Sequence, residues 1–125
     1  MKLLLDTHIV LWVMQDAPQL GRAARRLLAD ADEIYVSSVC LWEAAIKCAR
    51  GRLTLDLDAL DVHLEQAGFR PLAIDFSHAR RLRQLPLLHG DPFDRMLVAQ
   101  ALAEPMHLVT HDAALAAYSD LVIVV

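Results

Sequence analysis

Several features are scarce in this chain, and each scarcity removes a class of function. Lys and Arg number 12 against 16 Asp and Glu, for a formal charge of −4. That excludes a simple basic nucleic-acid module, whose affinity comes from an excess of cations over phosphate. It leaves open an enzyme that meets phosphate through a bound cation. There are two cysteines, Cys40 and Cys48. On one helix they stand two turns apart, roughly 12 Å along the axis, which no disulfide spans. They read as buried thiols of a reducing cytoplasm. No apolar run reaches the length of a membrane span. The opening MKLLLDTHIVLWVM is broken by Asp6 and His8, and no small-residue cleavage site follows, so it reads as fold rather than leader. Aromatic residues make up only 6% of the chain, and no platform for stacking bases is evident.

What is present is apolar and alternating. Hydrophobic residues make up 56% of 125 positions, which argues against disorder and suits a single domain over 1–125 with a buried core. KLLL (2–5) predicts a buried strand and 8–15 a helix, with a break at Pro18 and Gly21. An amphipathic helix is expected over 22–31 and a strand over 33–36. Ser37 and Ser38 offer a cap for a helix running to Arg50, stopped by Gly51. A helix over 57–68, a strand over 71–74 and a helix over 77–85 follow. Asp91-Pro92 opens the next helix, with proline at its favoured first position. A strand over 107–109, a short helix from about 112 and a strand over 121–125 complete the order. Strands separated by helices imply a mostly parallel sheet of four to five strands inside a three-layer α/β/α domain.

The acids gain meaning from that order. In an open parallel sheet, ligands collect at the carboxyl ends of strands where the strand order reverses. Asp6 follows the first strand and Asp112 lies just past the strand over 107–109. Glu43 sits in the second turn of the helix after 33–36, and Asp94 in the first turn of the helix after 91. Each has a plainer use as well. Asp6 can cap a helix. Glu43 can pair with Lys47 four residues on, although it lies between Trp42 and Ala44 in an apolar helix. Asp91 reads best as a cap. Asp94 shares a stripe with Leu97, Val98 and Ala101, where an acid is costly unless paired or metal-bound. Asp75 has the same strand-to-helix setting and reads as a cap beside Ser77. Converging carboxylates need a cation or must keep protons. With oxygens on offer and no Cys–His cluster of zinc spacing, Mg²⁺ or Mn²⁺ fits, and hydrolysis of a phosphodiester is the chemistry such a site supports.

Four segments in order, LLLDTHIVLW, SSVCLWEAAIKCARGRL, HGDPFDRMLVAQALAE and LVTHD, resemble the PIN-domain family, most closely its bacterial VapC-like toxin branch. The resemblance runs from Leu3 to Asp112. It implies a Mg²⁺-dependent ribonuclease whose acidic quartet is Asp6, Glu43, Asp94 and Asp112. Asp6 and Asp94 would be the principal metal ligands. Thr110 would position water or substrate, with Thr7 and Ser38 assisting by hydrogen bonds. Arg95 could reach a phosphate or pair with an acid.

The same resemblance implies an RNA substrate, a small cognate antitoxin protein and a homodimer. IVLWVM (9–14) is apolar around its whole helix, as expected of a segment covered by core or by a partner. Three basic groups could grip a strand: Arg22, Arg25 and Arg26; Lys47, Arg50 and Arg52; and Arg80, Arg81 and Arg83. The second is the best RNA candidate because it extends from the helix carrying Glu43. Two rivals stand beside this reading. One is a haloacid-dehalogenase-type phosphatase with Asp6 as nucleophile, against which His8 occupies the place of its second aspartate. The other is a non-catalytic receiver-like domain.

Overall fold

In the computed structural model, which describes all 125 residues, the first strand is also the middle of the sheet. β1 (Lys2–Leu5) lies between β2 (Glu33–Ser37) and β4 (His107–Thr110), with β3 (Arg70–Leu72) and β5 (Val122–Val124) at the edges. All four pairings are parallel. Leu3, Leu4 and Leu5 are wholly buried, and because alternate strand residues point to opposite faces, the sheet is covered on both sides here.

Six α-helices connect the strands: α1 (Thr7–Met14), α2 (Gly21–Asp30), α3 (Ser38–Ala49), α4 (Leu57–Gln66), α5 (Phe76–Arg83) and α6 (Pro92–Ala103). Short 3₁₀ turns cover Pro18–Leu20 and Ala113–Tyr118. From β1 the chain steps one way to β2 and β3, then returns past β1 to β4 and β5. Right-handed crossovers then send α1–α4 to one face and α5 and α6 to the other. The core joins both sides of the sheet, with Ile9, Val39 and Leu60 from the first set and Leu97 and Val98 from α6.

Local chemistry sets the helix ends. Asp6, Ser37, Asp56, Asp75 and Asp91 all accept backbone N–H groups at helix starts. Gly51 and Gly68 follow α3 and α4 with φ of 68° and 82°, conformations that other residues rarely adopt. The expected elements are present, with three shifts. β3 pairs through Arg70–Leu72 rather than 71–74, and it lies at an edge, where Pro71 and its missing donor are tolerated. The cap of α3 is Ser37 alone, accepting from the Val39 N–H at 3.0 Å. The short helix after 112 is 3₁₀ rather than α.

The all-apolar segment of α1 is covered by the chain itself. Ile9, Val10 and Leu11 are buried, and Trp12, Val13 and Met14 pack against the core. On the other face, α5 is pinned to α6 by His78, which is fully buried. Its Nδ1 accepts the Asp75 N–H at 3.1 Å and its Nε2 meets Glu104 at 2.7 Å. Asp75 accepts the Ser77 and His78 N–H groups, so it caps α5 as expected.

Candidate metal centre

The strand order reverses between β1 and β4, so the chains leaving these two strands diverge and open a crevice. Leu5 is in register with Val109, and the Asp6 N–H extends that ladder by donating to the Val109 carbonyl at 3.0 Å. Asp6 then turns into α1. One of its oxygens accepts the Ile9 N–H at 2.9 Å and the other a short hydrogen bond from the Thr110 hydroxyl. Thr110 in turn accepts the Asp112 N–H at 3.0 Å. A buried threonine thus ties the acid after β1 to the acid after β4. Asp6 is only 3% exposed, and loss of solvation raises its pKa despite these donors.

Glu43 arrives from α3 and is 7% exposed. The Thr7 hydroxyl donates to one of its oxygens at 2.7 Å, and the Lys47 ammonium lies 2.9 Å from the other. The helix pair seen as the plainer use of Glu43 therefore forms, and it forms at the rim of the crevice. Asp94 enters from the first turn of α6. Burial pushes its pKa up to about 7, and the neighbouring charges of Asp91, Asp6 and Glu43 push the same way. Three other acids thus bear on one carboxylate, which is the electrostatic signature of a site short of positive charge.

Asp112 is the outer member, and its environment has the opposite effect. Hydrogen bonds from the Ala114 N–H and from His89 hold its carboxyl below the usual range. The His89 contact is 2.9 Å from Nε2 to the carboxylate, while its Nδ1 accepts the Asp91 N–H at 3.1 Å. Because Nδ1 accepts, the hydrogen must be on Nε2 and points at Asp112. His89 therefore orients a carboxylate rather than offering it a lone pair, a role that supporting groups commonly play around metal ligands. Ligand atoms of His89, Asp94 and Asp112 lie within 4.8 Å of one another. Sequence reasoning missed His89. The only available signal was its place two residues before a capping aspartate.

The remaining candidates separate clearly. Thr7 and Thr110 touch the acids. Asp91 caps α6 through the Phe93 and Asp94 N–H groups and also borders the site. Ser38 does not join them. It is exposed and lines a different concavity, with Asp61 and Leu64, because Ser37 takes the cap and turns Ser38 away. Arg95 reaches neither phosphate space nor acid. Its guanidinium donates to the Pro86 carbonyl at 2.8 Å and the Tyr118 hydroxyl at 3.0 Å, holding the loop before α6.

Two adjoining clefts result. One, of about 250 Å³, is lined by Asp6, Asp94 and Asp112 with His8, Trp12 and His111. The other, of about 220 Å³, shares His8 and carries Glu43, Asp91, Lys47, Arg50, Arg52 and Phe93. The basic group favoured from sequence thus borders the acids. Arg22 and Arg26 instead line the largest concavity, about 830 Å³, beside Met1 at the opposite end of β1. Asp75, His78 and Glu104 also bring ligand atoms within 4.8 Å, but their capping and pinning contacts account for them.

Residues 3–121 match the family described as the PIN domain. The chain belongs to the PIN-domain family. That membership displaces the phosphatase and receiver-like readings. Ribonuclease VapC22 of Mycobacterium tuberculosis is 32% identical over 112 residues, covering 87% of this chain and 85% of that protein. Among solved structures, VapBC2 from Rickettsia felis, bound to a promoter DNA fragment, shares this PIN fold with a TM-score of 0.72 at 18% identity. The match covers 100% of this chain and 98% of that one. FitAcB from Neisseria gonorrhoeae gives 0.66 at 22% identity, over 90% and 89% of the two chains.

Proposed function

We propose that this PIN-domain chain is a divalent-metal-dependent endoribonuclease and the toxin of a toxin–antitoxin pair. One observation carries the chemistry. Asp6, Asp94 and Asp112 line a single cleft at the switch point of a parallel sheet, where burial first, and then the crowding charges of Asp91, Asp6 and Glu43, raise the Asp94 pKa to about 7. A cation would relieve that crowding. The donor set is mainly hard carboxylate oxygen, which suits Mg²⁺, with Mn²⁺ as a substitute. Asp6 and Asp94 would hold the ion, with Asp112 and Glu43 completing the site directly or through water. Such an ion supplies Lewis acidity and a water activated for attack on phosphorus.

The protein's own groups do the positioning. Thr110 fixes Asp6 and the Asp112 backbone together, Thr7 fixes Glu43, and His89 aims Asp112. Lys47, Arg50 and Arg52 offer phosphate contacts beside the acids. RNA as substrate is supported by the ribonuclease relative. An antitoxin partner is supported by a toxin-antitoxin complex from Klebsiella pneumoniae that shares the fold with a TM-score of 0.64. A homodimer belongs to the same proposal and is tested by the mass in solution. A cytoplasmic setting fits the free thiols of Cys40 and Cys48, and no helix is long and apolar enough to cross a membrane.

The test is cleavage of single-stranded RNA with Mg²⁺ present and after chelation. Cleavage should require the ion and fall by on the order of 10²–10³-fold or more in Asp94→Asn, as when a main electrostatic contact is lost. RNA cleavage that survives chelation, or a fully active Asp94→Asn protein, overturns the proposal.

A further inference from the structure

We infer that Trp42 and Phe93 form a stacking platform for an unpaired base of the RNA beside the cleavage site, an inference that rests on the ribonuclease reading. Trp42 stands on α3 next to Glu43 and is 56% exposed. Its ring meets Phe93 edge to face, with centroids 4.9 Å apart and planes at 83°. Phe93 stands on α6 next to Asp94 and forms part of the wall of the basic cleft. The two rings thus meet between the helices that carry Glu43 and Asp94, and Phe93 shares its cleft with Lys47, Arg50 and Arg52.

Three observations point to a nucleic-acid occupant. An indole left this exposed has a face free to stack, and the contact with Phe93 orders it in advance, reducing the entropy lost on binding. Lys47 pairs only with Glu43, and Arg50 and Arg52 form no ion pair, so the guanidinium groups are available to phosphate. The chain is otherwise acidic, at −4 overall, so a polyanion is favoured at this rim over most of the surface. Cations that track a backbone beside an aromatic face are the means by which single strands are held without sequence readout. A duplex hides its base faces, so the platform would select unpaired RNA.

The first experiment compares steady-state cleavage of a single-stranded oligoribonucleotide by the wild type, Trp42→Ala and Trp42→Phe. Trp42→Ala should raise KM by about 5- to 100-fold, the worth of one stacked base, with kcat within about twofold because the acids are untouched. Trp42→Phe should recover most of the loss. The second experiment uses Trp12→Phe, which leaves Trp42 as the only indole, in the presence of chelator. Its fluorescence should be quenched by the oligonucleotide and not by an abasic one of equal length. An unchanged KM in Trp42→Ala overturns the inference, as does equal quenching by the abasic strand. A change in oligomeric mass with KM unchanged overturns it too, and makes Trp42 a protein contact. If the wild type cleaves no RNA, the proposed function falls, and the quenching experiment still decides the platform on its own.

Discussion

Replacing Asp94 by Asn should stabilise the metal-free protein above neutral pH and do nothing for it in acid. The Asp94 carboxyl has its pKa raised from the ordinary 3.8 to about 7, first by burial and then by Asp91, Asp6 and Glu43. The folded protein therefore binds this proton more tightly than the unfolded chain does. The contribution to stability is complete below about pH 4, declines as pH rises, and is lost once pH passes about 7. Carrying a carboxyl from 3.8 to about 7 corresponds to about 4 kcal/mol before any screening. Asp94 is only half-buried, so solvent screening reduces the net penalty to about 1–2 kcal/mol. For a chain of this size that is roughly 3–10 °C in Tm. The assay is thermal unfolding of wild type and Asp94→Asn in chelator at pH 5 and pH 8. The variant should melt higher at pH 8, and the gap should shrink by more than half at pH 5, because the Asp94 contribution is complete only below about pH 4. Mg²⁺ at pH 8 should then raise the wild type through preferential binding to the folded state and leave the variant nearly unmoved. A gap of equal size at both pH values, or a less stable variant at pH 8, would refute the electrostatic account of this site.

Other expectations follow from neighbouring contacts. His89→Gln should weaken metal affinity by about 10–100-fold, as loss of a ligand-orienting partner does, read by calorimetric titration with Mn²⁺. Asp91→Asn should leave stability nearly unchanged because asparagine caps well, whereas Asp91→Ala should cost about 1 kcal/mol in denaturant unfolding. Severe loss of cleavage in a folded Asp91→Asn protein would place Asp91 among the ligands. Converting Arg50 and Arg52 together to Ala should flatten the salt dependence of single-stranded RNA binding by a slope of about 1.4, at about 0.7 per phosphate contact. An unchanged slope would move the phosphate path elsewhere.

Taken alone, the sequence determined the parts that depend on neighbours along the chain. The KLLL run, the capping aspartates and the glycines after α3 and α4 are local signals, and their elements appear close to where periodicity and cap chemistry put them. The stripe shared by Asp94, Leu97 and Val98 also marked Asp94 as an acid on the wrong face of a helix. What sequence order left open was decided by which strands lie side by side. Placing β4 against β1 joins Asp6 to Thr110 across 104 positions of sequence, a contact no periodicity encodes. The same packing turned Ser38 outward, spent Arg95 on Pro86 and Tyr118, brought His89 to Asp112, and set Trp42 against Phe93. Hydrogen bonds and ring contacts between distant residues depend on three-dimensional register to within an ångström or so. A linear pattern carries residue type and spacing, and those alone do not specify it.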